Sequence, residues 1–203
     1  MSDLTNWWVR THQEASSAEQ MWESWQASHR DQLVVALHCI PDLESVYEVG
    51  CGAGPNLRRL KDDYCHPMTL GGSEPCEGLA AWASEHLGVT IDRLALPDVP
   101  DGTSWDAVLS CYALAYCDPE AAIQSLTNFK KLGARYLILM EPNAYVHPYE
   151  KAGLYSRGGA LPEWAHDYPN LLRETGWGLL WRWPFMPPTD GLNTILIAEQ
   201  ESA

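Results

Sequence analysis

A chain of 203 residues, 46% apolar and 20% charged, has enough apolar material for one full core and needs no disulfide or metal to fold. Twenty-seven acidic against 13 basic residues leave a net charge of −14, which argues against a nucleic-acid partner: the nearest thing to a basic cluster is Arg58, Arg59 and Lys61, with Lys130, Lys131 and Arg135 far along the chain. No apolar run is long enough to span a bilayer, "MSDLTNWWVR" has no basic segment leading into an apolar one, and six cysteines without a CxxC pair form no disulfide framework. A cytoplasmic protein with reduced thiols is therefore expected.

In chain order, the N-terminal part reads as helical. Ser16 and Glu19 have capping-box spacing, and Trp22, Trp25, His29, Leu33 and Ala36 recur at helical intervals until Pro41 ends the run. Residues 45–49 form a first strand, which enters a glycine-rich turn and then the helix "PNLRRLKDDY". "HPMTLGG" gives a second strand, "EGLAAWASEHLG" a helix closed by Gly88, and residues 89–93 a third strand. After the proline-rich loop "LALPDVPDGTS", "WDAVLSCY" is a fourth strand. "DPEAAIQSLTNFKKLG" is a helix with Asp118 as its cap and Pro119 in its first turn, and "ARYLILMEP" is the fifth strand. A long loop over 142–160 leads to a helix around 161–174. "WGLLWRW" and "NTILIAEQ" close the chain as an antiparallel hairpin joined by "PFMPPTDGL". This alternation of helix and strand is the pattern of a parallel sheet covered on both faces.

The stretch "VYEVGCGAGPNL", residues 46–57, carries the chemistry. A strand, a bare glycine turn and a helix N-terminus present unpaired backbone N–H groups to a ligand with no Cβ in the way. A dinucleotide fingerprint, GxGxxG, would need glycine where this chain has Pro55. The run Glu48, Val49, Gly50, Cys51, Gly52, Ala53, Gly54 instead resembles the first motif of class I S-adenosylmethionine-dependent methyltransferases, an acid followed by GxGxG. The resemblance continues over residues 44–199. "LGGSEPCEGLAAWA" puts Glu74, with Pro75 beside it, where the family's second acid holds both ribose hydroxyls. "IDRLALP" puts Asp92, Arg93 and Leu94 near the adenine, Asp92 being weaker because the "VP" at 99–100 allows another register. "WDAVLSCYALAY" puts Ser110, Cys111 and Tyr112 on the pocket floor. Asn56, opening the helix, joins the cofactor set.

The resemblance implies an α/β fold, a three-layer α/β/α sandwich around a Rossmann-like, seven-stranded, mostly parallel sheet with an antiparallel C-terminal hairpin strand. It implies S-adenosylmethionine as cofactor and S-adenosylhomocysteine as product. It also divides the chain into an N-terminal helical lid, residues 1–40, and a catalytic domain, residues 41–203. In that lid Trp8, Trp22, Trp25, His29 and Arg30 are available: a Trp face to contact the sulfonium or cover the site, and Arg30 to pair with the cofactor's carboxylate, with core packing as the other reading for Trp22 and Trp25. Cys51 and Cys111 read as small apolar fillers with no catalytic role.

In-line transfer from an activated sulfonium needs positioning above all, which contributes about 7–11 kcal/mol in favourable systems. A base is needed only for an acceptor that binds protonated. "EPNAYVHPYEKAGLYSRGG" and "LPEWAHDYPN" crowd Glu141 and many aromatic and imidazole groups into one region. There Tyr145, Tyr149, Tyr155, Trp164 and His166 are the candidate substrate contacts and His147 the candidate base. Packing of the loop is the alternative for each. Base-methylating members carry Asn/Asp-Pro-Pro-aromatic after strand four where this chain has "SCYA". A small-molecule acceptor is therefore expected, and an amine held by aromatic and acidic groups is compatible with the composition. Nucleic-acid or protein methylation, aminopropyl transfer, and a binding module without catalysis stay open as alternatives. Cys65 and His66 have no second ligand pair at zinc-like spacing, so no metal is expected.

Overall fold

The computed structural model describes residues 3–12, 15–142, 153–156, 162–185 and 193–201. Three helices come first, α1 (Asp3–Thr11), α2 (Ala15–Glu23) and α3 (Ser28–Leu37). They are followed by β1 (Ser45–Val49), α4 (Pro55–Asp63), β2 (Thr69–Ser73), α5 (Glu77–Leu87) and β3 (Ile91–Asp92). Next are β4 (Ala107–Cys111), α6 (Pro119–Phe129) and β5 (Tyr136–Pro142). The last elements are β6 (Gly153–Ser156), β7 (Pro162–Ala165), α7 (Tyr168–Glu174), β8 (Trp177–Phe185) and β9 (Asn193–Gln200).

Seven strands form one sheet in the order β3-β2-β1-β4-β5-β9-β8. The first five are parallel, β9 runs antiparallel to β5, and β8 pairs antiparallel with β9 across a bulge between Leu179 and Trp181. Helices cover both faces, which explains why "YLILMEP" is buried throughout instead of alternating with polar residues. Its side chains divide by the two-residue period of a strand. Ile138 and Met140 join Leu33, Leu57, Val46 and Leu109 under α3 and α4, while Leu137 and Leu139 join Leu126, Phe129, Leu172 and Trp177 under α6 and α7. Each such fully buried Leu contributes about 2 kcal/mol through the apolar surface it removes from water. A third, smaller cluster packs Trp8, Val9, Met21 and Trp22 of α1 and α2 against Ala53, Cys76 and Leu79.

Local signals set most of the boundaries. Asp118 caps α6 by accepting from Ala121 N at 2.9 Å, with Pro119 in the first turn, and Gly88 closes α5 in the left-handed conformation. Two expectations are corrected. The single helix read through to Pro41 is broken by a tight turn at Ser24–Gln26, and Ser16 lies inside α2, which starts at Ala15. The expected helix around 161–174 is shorter. Residues 162–165 pair with β6 as a two-stranded ribbon, and Asp167 and Pro169 fix the start of α7 at Tyr168. No helix among the described residues is long and apolar enough to cross a membrane.

Candidate functional site

The strand order reverses between β1 and β4, and at the carboxyl ends of β1, β2 and β4 the structure holds a cavity of about 220 Å³. Gly50 and Gly52 form its base with φ of 65° and 57°. A Cβ at Gly50 would lie 2.6 Å from that of Ala113, so Gly50 is required by space as well as by dihedral angle; at Gly52 the positive φ is the constraint, and the neighbour a Cβ would displace is the flexible end of Met21. Cys51, Pro55 and Asn56 complete this wall. Glu74 and Pro75 stand at the end of β2, Leu94 and Leu96 after β3, Cys111 at the end of β4, and Tyr112, Ala113, Tyr116 and Cys117 beyond it. Trp8, Met21, His29 and Arg30 close the cavity from the N-terminal helices.

Glu74 is 1% exposed, and both of its oxygens accept hydrogen bonds. Its Oε1 accepts from Trp8 Nε1 at 3.1 Å and from Cys76 N at 2.9 Å, and its Oε2 accepts from Gly52 N at 3.0 Å. Burial raises the pKa of this carboxyl, and the three N–H donors pull it back. The carboxylate thus joins the glycine turn, the head of α5 and the first helix at one point.

A second chain of polar groups runs beneath the turn. Asn56 Nδ2 donates to Glu48 Oε1 at 2.6 Å, Arg30 Nε donates to Asn56 Oδ1 at 2.7 Å, and Arg30 Nη1 donates to Ser24 O at 2.5 Å. The break after α2 that periodicity did not reveal therefore has a role: it exposes the Ser24 carbonyl to Arg30. Glu48 Oε2 is buried and has no protein partner. Burial pushes the Glu48 carboxyl up to about 8, against the opposing pull of Asn56 and Arg30. The folded chain then holds a proton that the unfolded chain releases near 4.5, so this stabilisation is complete below that value and lost as pH rises through about 8. Denaturant midpoints should fall across this window. Glu48→Gln, which stays neutral, should reduce the slope, whereas an unaltered slope would show that Glu48 does not titrate there.

Among the residues singled out in the sequence, Gly50, Cys51, Gly52, Asn56, Glu74, Pro75, Leu94, Cys111, Tyr112 and Arg30 line the cavity. Glu48 lies beneath it, and Gly54 is the left-handed residue that opens α4. Four others point elsewhere. Asp92 accepts from Tyr47 Oη at 2.8 Å, and "IDRLALP" meets the cavity through Leu94 and Leu96. Arg93 is exposed and pairs with Glu77 at 3.3 Å. Ser110 donates to Glu141 Oε1 at 2.7 Å. His166, expected at the substrate, is buried, and its Nε2 lies 3.1 Å from the carbonyls of both Leu114 and Cys117, where its N–H ties down the turn after β4. Burial lowers its pKa, as suits a neutral structural imidazole. Trp164 stacks beside it at 6.2 Å. His147, Tyr145 and Tyr149 lie outside the described residues, as do the side chains of Trp25 and Tyr155.

Sequence reasoning names Trp8 for the lid without its partner, and it misses the role of Glu141. Trp8 donates to Glu74, stacks on His12 at 3.9 Å and meets Tyr116 at 5.3 Å. Glu141 was placed with the substrate region but turns inward, accepting from the backbone N–H groups of Ala113, Leu114 and Ala115 at 3.0 to 3.3 Å. The available signal was an acid at the buried carboxyl end of a central strand, as at Glu48.

No protein-family model and no curated protein matches the chain. Solved structures do. The magnesium protoporphyrin IX methyltransferase of Synechocystis PCC 6803 with bound S-adenosylhomocysteine superposes with a TM-score of 0.70 at 18% identity, over 98% of this chain and 100% of that one. The 1,6-didemethyltoxoflavin-N1-methyltransferase of Burkholderia thailandensis, with its namesake compound and S-adenosylhomocysteine bound, gives 0.75 at 15% identity, over 98% and 88%. An S-adenosylmethionine-bound amino pentose methyltransferase from Micromonospora echinaspora gives 0.64 at 15% identity, over 87% and 92%. The fold is that of the class I S-adenosylmethionine-dependent methyltransferases.

Proposed function

We propose that the chain transfers a methyl group from S-adenosylmethionine to a small-molecule acceptor. The observation that carries this reading is the buried Glu74 carboxylate, set at the end of β2 against the Gly50–Gly54 turn and facing the cavity. The residues present fit the cofactor. A carboxylate accepts both hydrogen bonds of a vicinal diol, the backbone of Gly50 and Gly52 admits close approach, Leu94 and Leu96 offer apolar cover to a base, and Arg30 lines the same wall as a cation for a carboxylate. When bound, S-adenosylmethionine supplies an activated methyl on a sulfonium.

The rest of the chemistry belongs to the chain. Glu48, Asn56 and Arg30 hold the cradle through one hydrogen-bond relay, so the ligand meets preformed groups and loses little to reorganisation. Glu141 fixes the turn that carries Tyr112 and Ala113, and so sets where an acceptor can stand. Residues 1–40 act as the lid of the catalytic domain, 41–203. Trp8 reaches Glu74, Cys76 Sγ donates to His12 O at 3.3 Å, and Met21 lies on Gly52, so α1 and α2 must yield for the ligand and then cover it. Deleting residues 1–15 should weaken cofactor binding, and unchanged affinity in a calorimetric titration would remove the lid.

A net charge of −14 and aromatic walls at Trp8 and Tyr116 support a small acceptor, with an amine the best-suited class. His147 is the side chain we assign as base for an acceptor that binds protonated. The test is incubation with methyl-labelled donor and fractionated small metabolites, followed by mass identification of the labelled product. Transfer to a small amine supports the reading. Label that enters only nucleic acid or protein, or no acceptor in any extract, overturns it.

A further inference from the structure

The amino ends of β1 and β2, opposite the cradle, carry a pair of groups that methyl transfer does not use. His38 ends α3, and Cys65 lies in the turn between α4 and β2; both are exposed. Their Nε2 and Sγ atoms are 3.2 Å apart. His38 Nδ1 lies 2.7 Å from Val34 O, and because a carbonyl only accepts, Nδ1 carries the ring proton and Nε2 is the free acceptor of the neutral imidazole. The thiol therefore donates its S–H to Nε2. The Tyr64 ring packs on the imidazole at 4.5 Å and 35°, holding its plane. Asp42 and Glu44 line the same depression as His38 and Cys65.

We propose that Cys65 is a site of thiol–disulfide exchange, with His38 as its base, for neutral or cationic low-molecular-weight disulfides. The Cys65 sulfur attacks one sulfur of the disulfide as its proton passes to Nε2. The new S–S bond forms as the old one breaks, and the leaving thiolate takes the proton from His38 and departs as a thiol. Cys65 is thereby oxidised and half of the disulfide reduced, with no further oxidant. Anionic disulfides are disfavoured by Asp42, Glu44 and the chain's net charge of −14. The proposal does not depend on the methyl-transfer reading.

Cys39 is the internal control. It is the other exposed thiol among the described residues, and its Sγ bonds to the Val35 carbonyl at 3.6 Å, a group that cannot accept a proton in transfer. The experiment treats the native full-length chain with a neutral dipyridyl disulfide, follows release of the pyridyl thiol, and locates adducts by peptide mass. An unassisted thiol is only a few per cent thiolate at neutral pH, so a resident proton acceptor leaves room for Cys65 to react about tenfold faster than Cys39. Cys65→Ser should abolish the fast phase, and His38→Gln should bring the ratio of the two rates close to one. Equal rates in the native chain, or a lead for Cys65 that survives His38→Gln, would overturn the proposal.

Discussion

Glu74→Gln is expected to raise the dissociation constant for S-adenosylhomocysteine by about thirtyfold, equivalent to roughly 2 kcal/mol. The substitution removes the negative charge that makes two hydrogen bonds to a diol charge-assisted, and it turns one acceptor oxygen into a donor. If the amide oxygen keeps the Trp8 and Cys76 donors, its NH₂ faces the Gly52 N–H, so the cradle loses its acceptor at the same moment. Ribose contacts serve ground state and transition state alike, so the cofactor KM should rise while kcat changes little. Glu74→Ala removes all three acceptor contacts and should also lower thermal stability, so the Gln variant is the cleaner test. Unchanged affinity in a variant that folds normally would leave Glu74 a structural carboxylate only.

The second large effect is expected at Glu141. This buried side chain accepts from one hydroxyl and three backbone N–H groups, which open the short 3-10 helix Leu114–Tyr116 after β4, where the first N–H groups have no partner within the helix. Glu141→Ala leaves four donors, three of them buried, without an acceptor. At about 1–3 kcal/mol each, partly relieved by entering water, the loss is on the order of 4 kcal/mol, a large share of the 5–15 kcal/mol typical of a domain. Glu141→Gln is milder, because its oxygen keeps the three contacts at Oε1 and only the Ala115 N–H meets a donor. Urea unfolding should rank the variants native, Gln, Ala, and methyl transfer by Gln should drop because Tyr112 and Ala113 shift. A fully stable Glu141→Ala protein would refute this account of the turn.

The parts of the site that were legible in sequence are those fixed by covalent spacing. Gly50, Gly52 and Glu74 follow from the strand–turn–helix motif and its neighbour, because adjacent parallel strands must end side by side. Asp92 was misjudged for a reason of register. It pairs with Ser73, which pairs with Val49, and Val49 and Tyr47 face α6 and α7, so Asp92 reaches Tyr47 and not the cavity. His166 was misjudged because its partners, Leu114 and Cys117, are about fifty positions away in sequence, and a turn of that kind leaves no periodic trace. Trp8 is legible as a lid aromatic, but its contact with Glu74 depends on how α1 docks, which propensity does not encode. The break at Ser24–Gln26 escaped notice because a short tight helix keeps nearly the same apolar spacing as the helix it interrupts.

The central claim is that a sulfur-bearing nucleoside is held between the Gly50–Gly54 turn and Glu74. Calorimetric titration of the folded full-length chain with S-adenosylhomocysteine tests it without any knowledge of the acceptor. A saturable one-to-one isotherm in the native chain, strongly weakened in Glu74→Gln, is the predicted result; native protein that binds neither this compound nor S-adenosylmethionine would contradict it.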